Sequence, residues 1–178
     1  IMSFERTLSI ILCAGNGSRM NSDCPKVLNT IAGKTMIQHV LETVKSVGIV
    51  NKIIVTNPSN DDQIRKNTDS DLGISYAIQD TPLGTGHAVQ IAKDSISPDT
   101  DNIMILFGDV PLINTSTLKE ISELLENSDI CIISFNKDNP YGYGRVVKDK
   151  DDRVISIVEE VDASIEIKSI KNCFSAPT

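Results

Sequence analysis

The apolar positions of the chain follow two periods up to about residue 135. Short β-branched and apolar runs predict strands, and between them apolar residues recur at helical spacing. The predicted strands are TLSIILCA (7–14), NKIIVTN (51–57), GISYAIQ (73–79), NIMILFGD (102–109) and DICIISF (129–135). The predicted helices are MIQHVLETVKSVG (36–48), GHAVQIAKDSI (86–96) and NTSTLKEISELLENS (114–128). This order predicts an α/β fold with a Rossmann-like, mostly parallel sheet and helices on both faces.

The pattern changes after residue 135. The stretch YGRVVKDKDDRVISIVEE (143–160) predicts two strands joined by a charged turn, which is an antiparallel hairpin excursion from the sheet. DASIEIKSI (162–170) predicts a short helix. We expect one domain over residues 1–178 that is incomplete at its carboxyl end, and the final residues contain no hexapeptide repeats of a parallel β-helix.

Composition excludes several classes of protein. The net charge of −7 argues against a duplex nucleic acid partner, because phosphate neutralisation needs clustered Lys and Arg. The four cysteines form no C-x-x-C pair and show no ligand spacing with the two histidines, so we expect reduced thiols and no zinc. No apolar run approaches the roughly 20 residues of a membrane span. We therefore expect a cytoplasmic protein that binds any anion locally.

The loop after the first strand is the first candidate anion site. In LCAGNGSRMNSDCPKVL, Gly15 and Gly17 let backbone N–H groups approach an anion, and Arg19 and Lys26 add positive charge. The loop lacks the third glycine of the dinucleotide fingerprint and the spacing of a Walker loop. The residues alone therefore leave two alternatives, a phosphate-binding loop or a structural turn.

Two more candidates follow later predicted strands, at the edge where open α/β sheets bind ligands. Asp109 in LFGDVPL can hold a hard cation such as Mg²⁺ or can cap the next element. In QDTPLGTGHA, the Gln79 amide can read the edge of a base, and Gly84 and Thr85 lie in a loop that either contacts a flat ring or simply leads into a helix. For His39 and His87 packing is favoured over catalysis.

Taken in order, five separated motifs resemble a known family. They are L-x-A-G-x-G-[ST]-R-M followed by P-K, Q-x4-G-T-G-H-A, G-D-V-P-L, G-Y-G-R and I-V-E. Together they resemble the uridylyltransferase domain of the bacterial bifunctional N-acetylglucosamine-1-phosphate uridylyltransferase and glucosamine-1-phosphate acetyltransferase. The resemblance runs from about residue 8 to the end of the chain, and the acetyltransferase β-helix domain is absent from it.

The resemblance implies an activity and its partners. The chain is expected to transfer UMP from UTP to N-acetylglucosamine 1-phosphate with Mg²⁺ as cofactor, giving UDP-N-acetylglucosamine and pyrophosphate. In this family the product serves peptidoglycan and lipopolysaccharide synthesis. A homo-oligomer stays open, and two alternatives remain: a nucleotidyltransferase for another sugar 1-phosphate, or a degenerate nucleotide-binding protein without turnover.

The resemblance also implies site residues. The implied nucleotide-binding set is Leu12, Cys13, Ala14, Gly15, Gly17, Lys26, Gln79, Gly84, Thr85, Phe107 and Gly108. The implied catalytic set is Arg19, Lys26 and Asp109, with Asp109 as metal ligand, and the implied sugar-binding set is Gly144 and Glu159.

The carboxyl end departs from the family pattern. Counted without a gap from Glu159, the sugar-contacting Asn of the family falls on Phe174, whereas a two-residue shift brings Asn172 to that place. The residues that follow fit the unshifted register better, so the sequence favours Phe174. The second metal-binding Asn of the family lies beyond residue 178.

Overall fold

A computed structural model describes residues 4–15, 24–68 and 70–174 of the chain. The chain forms two compact units, and the boundary between them in the sequence lies between Asn127 and Ser128. The strands are β1 Thr7–Leu12, β2 Thr30–Ile31, β3 Lys34–Thr35, β4 Lys52–Thr56, β5 Ile74–Ile78, β6 Asn102–Phe107, β7 Phe135–Asn136, β8 Gly144–Lys148, β9 Val154–Val158 and β10 Asn172–Phe174. The helices are α1 Met36–Ser46, α2 Asp61–Thr68, α3 Thr85–Ala92, α4 Thr115–Leu124 and α5 Ile165–Lys168.

The first unit is built on a four-stranded parallel sheet in the order β5-β4-β1-β6. In the register of this sheet, Ile10 of β1 lies between Ile53 of β4 and Ile105 of β6. Every residue of β1 and β4 is buried, which explains why apolar residues stand next to one another in both strands, as at residues 10–12 and 53–55, instead of alternating with exposed polar ones. The predicted α/β fold with a parallel sheet is confirmed.

Helices cover both faces of this sheet. Because side chains alternate along a strand, Ile11 of β1 faces one apolar cluster and Ile10 faces another. The Ile11 cluster contains side chains of α1, α2 and α4, among them Ile37, Ile64 and Leu118. The Ile10 cluster is covered by α3 through its alanines.

Two elements of the first unit have only weak sequence signals. The short strands β2 and β3 form a hairpin whose turn residues Ala32 and Gly33 both have positive φ, as hairpin turns of two residues require. Helix α1 then begins at once, because Thr35 and Gln38 form a reciprocal capping box at its start. Neither this hairpin nor α2 is predicted from the hydrophobic pattern of the sequence.

The second unit contains a four-stranded sheet in the order β7-β10-β8-β9, and all its pairings are antiparallel. Strands β8 and β9 form the predicted hairpin, with a register shift after Val147. The predicted short helix is present as α5. Strand β10 was not predicted, although it lies between β7 and β8 and makes the sheet continuous.

The predicted strand over residues 129–135 is wrong. Only its last residue, Phe135, belongs to a strand, and that strand pairs with the short β10. The apolar run in this segment favours a buried strand, but Ile130 and Ile133 are exposed.

The longest described helix, α1, has 11 residues. Within the described ranges, no helix combines the length and the apolar character that a bilayer crossing requires.

Candidate functional site

The carboxyl edge of the parallel sheet carries the candidate site. The chain runs from β1 outward to β4 and β5 on one side and then crosses to β6 on the other, so the strand order switches between β1 and β6. Open α/β sheets bind ligands at such a switch point. A backbone hydrogen bond links the ends of β1 and β6 there, because the Gly108 N–H donates to the Leu12 carbonyl at 3.0 Å.

Lys26 and Asp109 meet at this edge, although 82 residues of sequence separate them. Lys26 Nζ lies 2.6 Å from Asp109 Oδ2, and the Asp109 side chain is only 14% exposed. A short 3-10 turn presents Lys26, because the next two residues, Val27 and Leu28, are buried beneath it. The arrangement places one cation and one carboxylate together at the ends of β1 and β6.

Cys13 packs under this ion pair. A Cβ atom at Gly108 would overlap Cys13 Sγ and would lie 3.2 Å from Val27 Cγ1, so the two strand ends approach this closely only with glycine at 108. Burial raises the pKa of the Cys13 thiol far above its ordinary value, and the negative charge of Asp109 raises that pKa further. Cys13 is therefore a packing residue that stays a neutral thiol.

Two buried asparagines hold the backbone that leads into the glycine loop. Asn57 Nδ2 donates to the Ala14 carbonyl at 2.8 Å, and Asn60 Nδ2 donates to the Cys13 carbonyl at 2.9 Å. The pair is itself cross-linked, because the Asn57 N–H donates to Asn60 Oδ1 and the Asn60 N–H donates to Asn57 Oδ1. Sequence reasoning missed both residues, since NPSN after a strand reads as an ordinary turn.

A cleft of about 240 Å³ opens beside Ala14 and Asn57, at the ends of β1, β4 and β5. Its lining residues are Ala14, Asn57, Pro58, Ser59, Gln79, Asp80 and Pro82. Gln79 directly follows β5, Gly84 is the N-cap of α3, and Thr85 is the first residue of that helix. Gln79 Nε2 donates to the Gly84 carbonyl at 3.1 Å and lies 3.0 Å from His87 Nδ1.

In the second unit, the structure brings Gly144 and Glu159 together. A Cβ atom at Gly144 would lie 3.5 Å from Glu159 Oε1 and 3.4 Å from the Phe174 carbonyl oxygen. Because Phe174 pairs with Gly144, Asn172 lies on the same face of the sheet. The Asn172 Oδ1 atom is buried and accepts no hydrogen bond from the residues that the structure describes.

Arg145 holds this part of the second unit in place. Its side chain is 1% exposed and donates to Glu160 Oε2 at 2.7 Å and to the carbonyl of Tyr143. The hydrogen bond from Arg145 holds the pKa of Glu160 below its usual value. Glu160 in turn accepts from the Gly142 N–H at 3.2 Å, so the pair fixes the turn before Gly144.

The expected residues thus fall into three groups. Those at the carboxyl edge of the parallel sheet are Leu12, Cys13, Ala14, Gly15, Lys26, Gln79, Gly84, Thr85, Phe107, Gly108 and Asp109. Gly144 and Glu159 lie in the second unit. Gly17 and Arg19 lie outside the described residues.

A solved structure shares the fold of this chain at low sequence identity. The chain superposes with a TM-score of 0.72 on a solved structure from Bacillus anthracis described as a glucose-1-phosphate thymidylyltransferase. The match covers 94% of this chain and 68% of the other at 18% sequence identity.

Residues 9–154 match the MobA-like NTP transferase domain, and the chain belongs to that family. It is 39% identical over 174 residues to the bifunctional protein GlmU of Brucella anthropi, and 40% identical over 176 residues to that of Thermoanaerobacter pseudethanolicus. Each match covers 97% of this chain and 38% or 37% of the relative. The chain therefore spans a little over a third of the length of these curated relatives.

Proposed function

We propose that this chain transfers UMP from UTP to N-acetylglucosamine 1-phosphate. The observation that carries the proposal is the contact of 2.6 Å between Lys26 Nζ and Asp109 Oδ2 at the strand switch point, in a chain whose sequence continues from β1 into a glycine-containing segment. A cation and a carboxylate in that place suit a triphosphate and its counterion. The identity to two bifunctional GlmU proteins supports the same reaction.

The chemistry needs no nucleophile from the protein. A phosphate oxygen of the sugar phosphate attacks the α-phosphorus of UTP and forms the new P–O bond. The bond from the α-phosphorus to the bridging oxygen breaks, and pyrophosphate leaves with that electron pair. Positioning and charge stabilisation carry such a transfer, so Lys26 and, from the sequence resemblance, Arg19 are proposed to stabilise the departing pyrophosphate.

The donor set at Asp109 fits Mg²⁺. Within the described residues, no group of three or more His, Cys, Asp or Glu side chains could hold a metal alone. Mg²⁺ in nucleotide sites commonly takes one or two carboxylates together with substrate phosphates and water, so a lone carboxylate is a sufficient protein ligand. Asp109 would hold the ion, and the bound ion would neutralise negative charge on the phosphates.

For the base, we propose the cleft that Gln79 and Ala14 line. Asn57, whose side chain donates to the Ala14 carbonyl, also lines this cleft, so the base would lie against the backbone at the end of β1.

For the acceptor sugar, we propose Gly144 and Glu159. Asn172 Oδ1 is buried and accepts no hydrogen bond from the described residues, while its Nδ2 donates to Ser134 and Asn136. Since Asn172 lies on the face of Gly144, this free acceptor favours Asn172 over Phe174 as the amide that contacts the sugar. This observation supports the two-residue shift that the sequence alone disfavoured.

Pyrophosphate release by the 178-residue chain with UTP, N-acetylglucosamine 1-phosphate and Mg²⁺ tests the proposal. Lys26→Ala should lower kcat by about 10²–10³-fold, as loss of a charge-stabilising donor does elsewhere, while UTP affinity changes far less. Lys34→Ala is the matched control, because Lys34 is an exposed lysine paired with Glu42.

Glucose 1-phosphate as a competing acceptor tests the sugar. If the chain binds UTP and releases no pyrophosphate, the alternative of a nucleotide-binding protein without turnover replaces this proposal. Faster turnover with glucose 1-phosphate would assign the chain to another sugar.

A further inference from the structure

The side-chain amide of Gln79 is held in one orientation. Its Nε2 atom lies 3.1 Å from the Gly84 carbonyl oxygen. A carbonyl oxygen only accepts hydrogen bonds, so the amide atom that faces it must be the NH₂ group. The same Nε2 lies 3.0 Å from His87 Nδ1, which must therefore accept, and the ring proton is then on His87 Nε2.

The backbone at Gly84 makes this arrangement available. Gly84 has φ of 95° and ψ of 177°, a conformation that is open essentially to glycine alone. Its carbonyl accepts from the Gln79 amide and also from the Ala88 N–H at 3.1 Å. Of the two acceptors for Gln79 Nε2 among the described residues, His87 Nδ1 is therefore the one that does not also accept from the backbone of α3.

Both contacts use Nε2, which leaves Oε1 as the amide atom available to a ligand in the cleft that Gln79 lines. Gln79 lines the cleft and is 4% exposed. Its two amide hydrogens are directed to Gly84 and His87, and nothing among the described residues donates to Oε1. A ligand in the cleft thus meets an acceptor from Gln79 and not a donor.

Pyrimidine rings differ at the atom that this acceptor distinguishes. The N3 atom of uracil carries a hydrogen and donates, whereas N3 of cytosine has a lone pair and accepts. When two acceptors face each other in a binding site, no hydrogen bond forms, but both groups have still lost their contacts with water. A site whose acceptor bonds the N–H of one base therefore binds a base without that N–H more weakly.

We propose that His87 is a specificity-determining residue that fixes the Gln79 amide with its oxygen towards the base, so that the site takes a ring with an N–H donor and rejects cytosine. This inference rests on the proposed function, since it names what selects the base in the proposed nucleotide site. His87 is a positioning residue, because it acts through Gln79.

The test is direct binding of UTP and CTP by calorimetry, without acceptor, to the 178-residue chain and three variants. His87→Asn keeps an oxygen acceptor near the position of Nδ1 and should retain the preference for UTP. His87→Leu removes the acceptor and should reduce the ratio of UTP to CTP affinity by about tenfold, the effect of one lost hydrogen bond. His39→Leu, which alters the other of the two histidines, should leave the ratio unchanged.

The ratio separates positioning from general damage, because loss of folded protein lowers both affinities equally. A second readout is the ¹⁵N spectrum of the imidazoles, in which His87 should carry its proton on Nε2 and a lone pair on Nδ1. Full discrimination in His87→Leu, or a proton on Nδ1, would overturn the role of His87 while leaving the nucleotide site standing. Failure of the unaltered chain to bind either nucleotide would instead overturn the proposed function.

Discussion

At Gly108, one methyl group is enough to test how tightly the two strand ends at the site are packed. Gly108→Ala should lower the free energy of unfolding by about 1–3 kcal/mol, because the new Cβ overlaps Cys13 Sγ and presses on Val27. Cys13→Ala in the same chain should recover part of this loss, since it removes the nearer obstacle. Urea unfolding of the two single variants and the double variant measures both effects.

Gly86→Ala is the control for this comparison. Among the described residues, no atom outside the two chain neighbours of Gly86 and the nearby backbone of α3 lies within 4 Å of a Cβ at Gly86, and alanine is the better helix former there. If Gly108→Ala were as stable as Gly86→Ala, the close approach of the strand ends would be wrong.

Single residues were predictable where a motif fixes them and not where a distant partner does. The motifs predict that Lys26 and Asp109 belong to one site, and in the structure their side chains lie 2.6 Å apart. Asn57 and Asn60 carry no such signal, because their partners are backbone carbonyls more than forty residues away. His87 was interpreted as a packing residue, since its contact with Gln79 depends on how α3 starts rather than on sequence spacing.

At the scale of elements, the start of α2 carries an acid-sensitive contact. Asp61 accepts from Thr56 Oγ1 at 2.6 Å and pairs with Arg65 Nε at 2.7 Å. Burial works against the ionised carboxyl, but the hydrogen bonds from Arg65 and Thr56 and the charge of Arg65 outweigh it and hold the pKa of Asp61 below its usual value.

This lowered pKa predicts the sign of a pH effect. Since the folded chain binds the proton less readily than the unfolded one, the contribution of Asp61 is full above the unfolded pKa and is lost as the pH falls through the folded pKa. Asp61→Asn should therefore be less stable than the unaltered chain at neutral pH, and the difference should shrink in acid. Thermal unfolding from pH 7 to pH 3 measures it, with the exposed neighbour Asp62→Asn as control; an equal difference at all pH values would contradict the contact.

Elements were predictable where burial and pattern agree. The runs that became β1 and β4 are largely apolar because every residue of both strands is buried, whereas residues 129–135 are also largely apolar and stay largely outside any strand. The hydrophobic pattern of a segment shows which side chains it could bury, but it does not show whether a partner strand lies beside it. Strand β10 is the opposite case. Its three residues are too few to show a hydrophobic pattern, yet the strand pairs with β7 on one side and β8 on the other.

At the scale of the whole molecule, the boundary between the units should be the first point of proteolysis. Residues 128–134 belong to no helix or strand, and Ile130 is 80% exposed. Thermolysin, which cleaves before large apolar residues, should cut before Ile130 and give two fragments, because exposed segments without regular structure are cleaved first. Mass spectrometry at short times identifies the cut, and Ile130→Asp should slow it; a first cut within the parallel sheet would contradict the division.

The position of β1 between β4 and β6 has a consequence for the newborn chain. A ribosome makes β1 first and β4 soon after, but β6 appears only when residues 102–107 have been made. Until then the backbone N–H and C=O groups along one side of β1 have no partner from β6, beside some of the most apolar residues of the chain. Synthesis paused in that interval would leave the chain in the state that chaperones bind and that aggregates most readily.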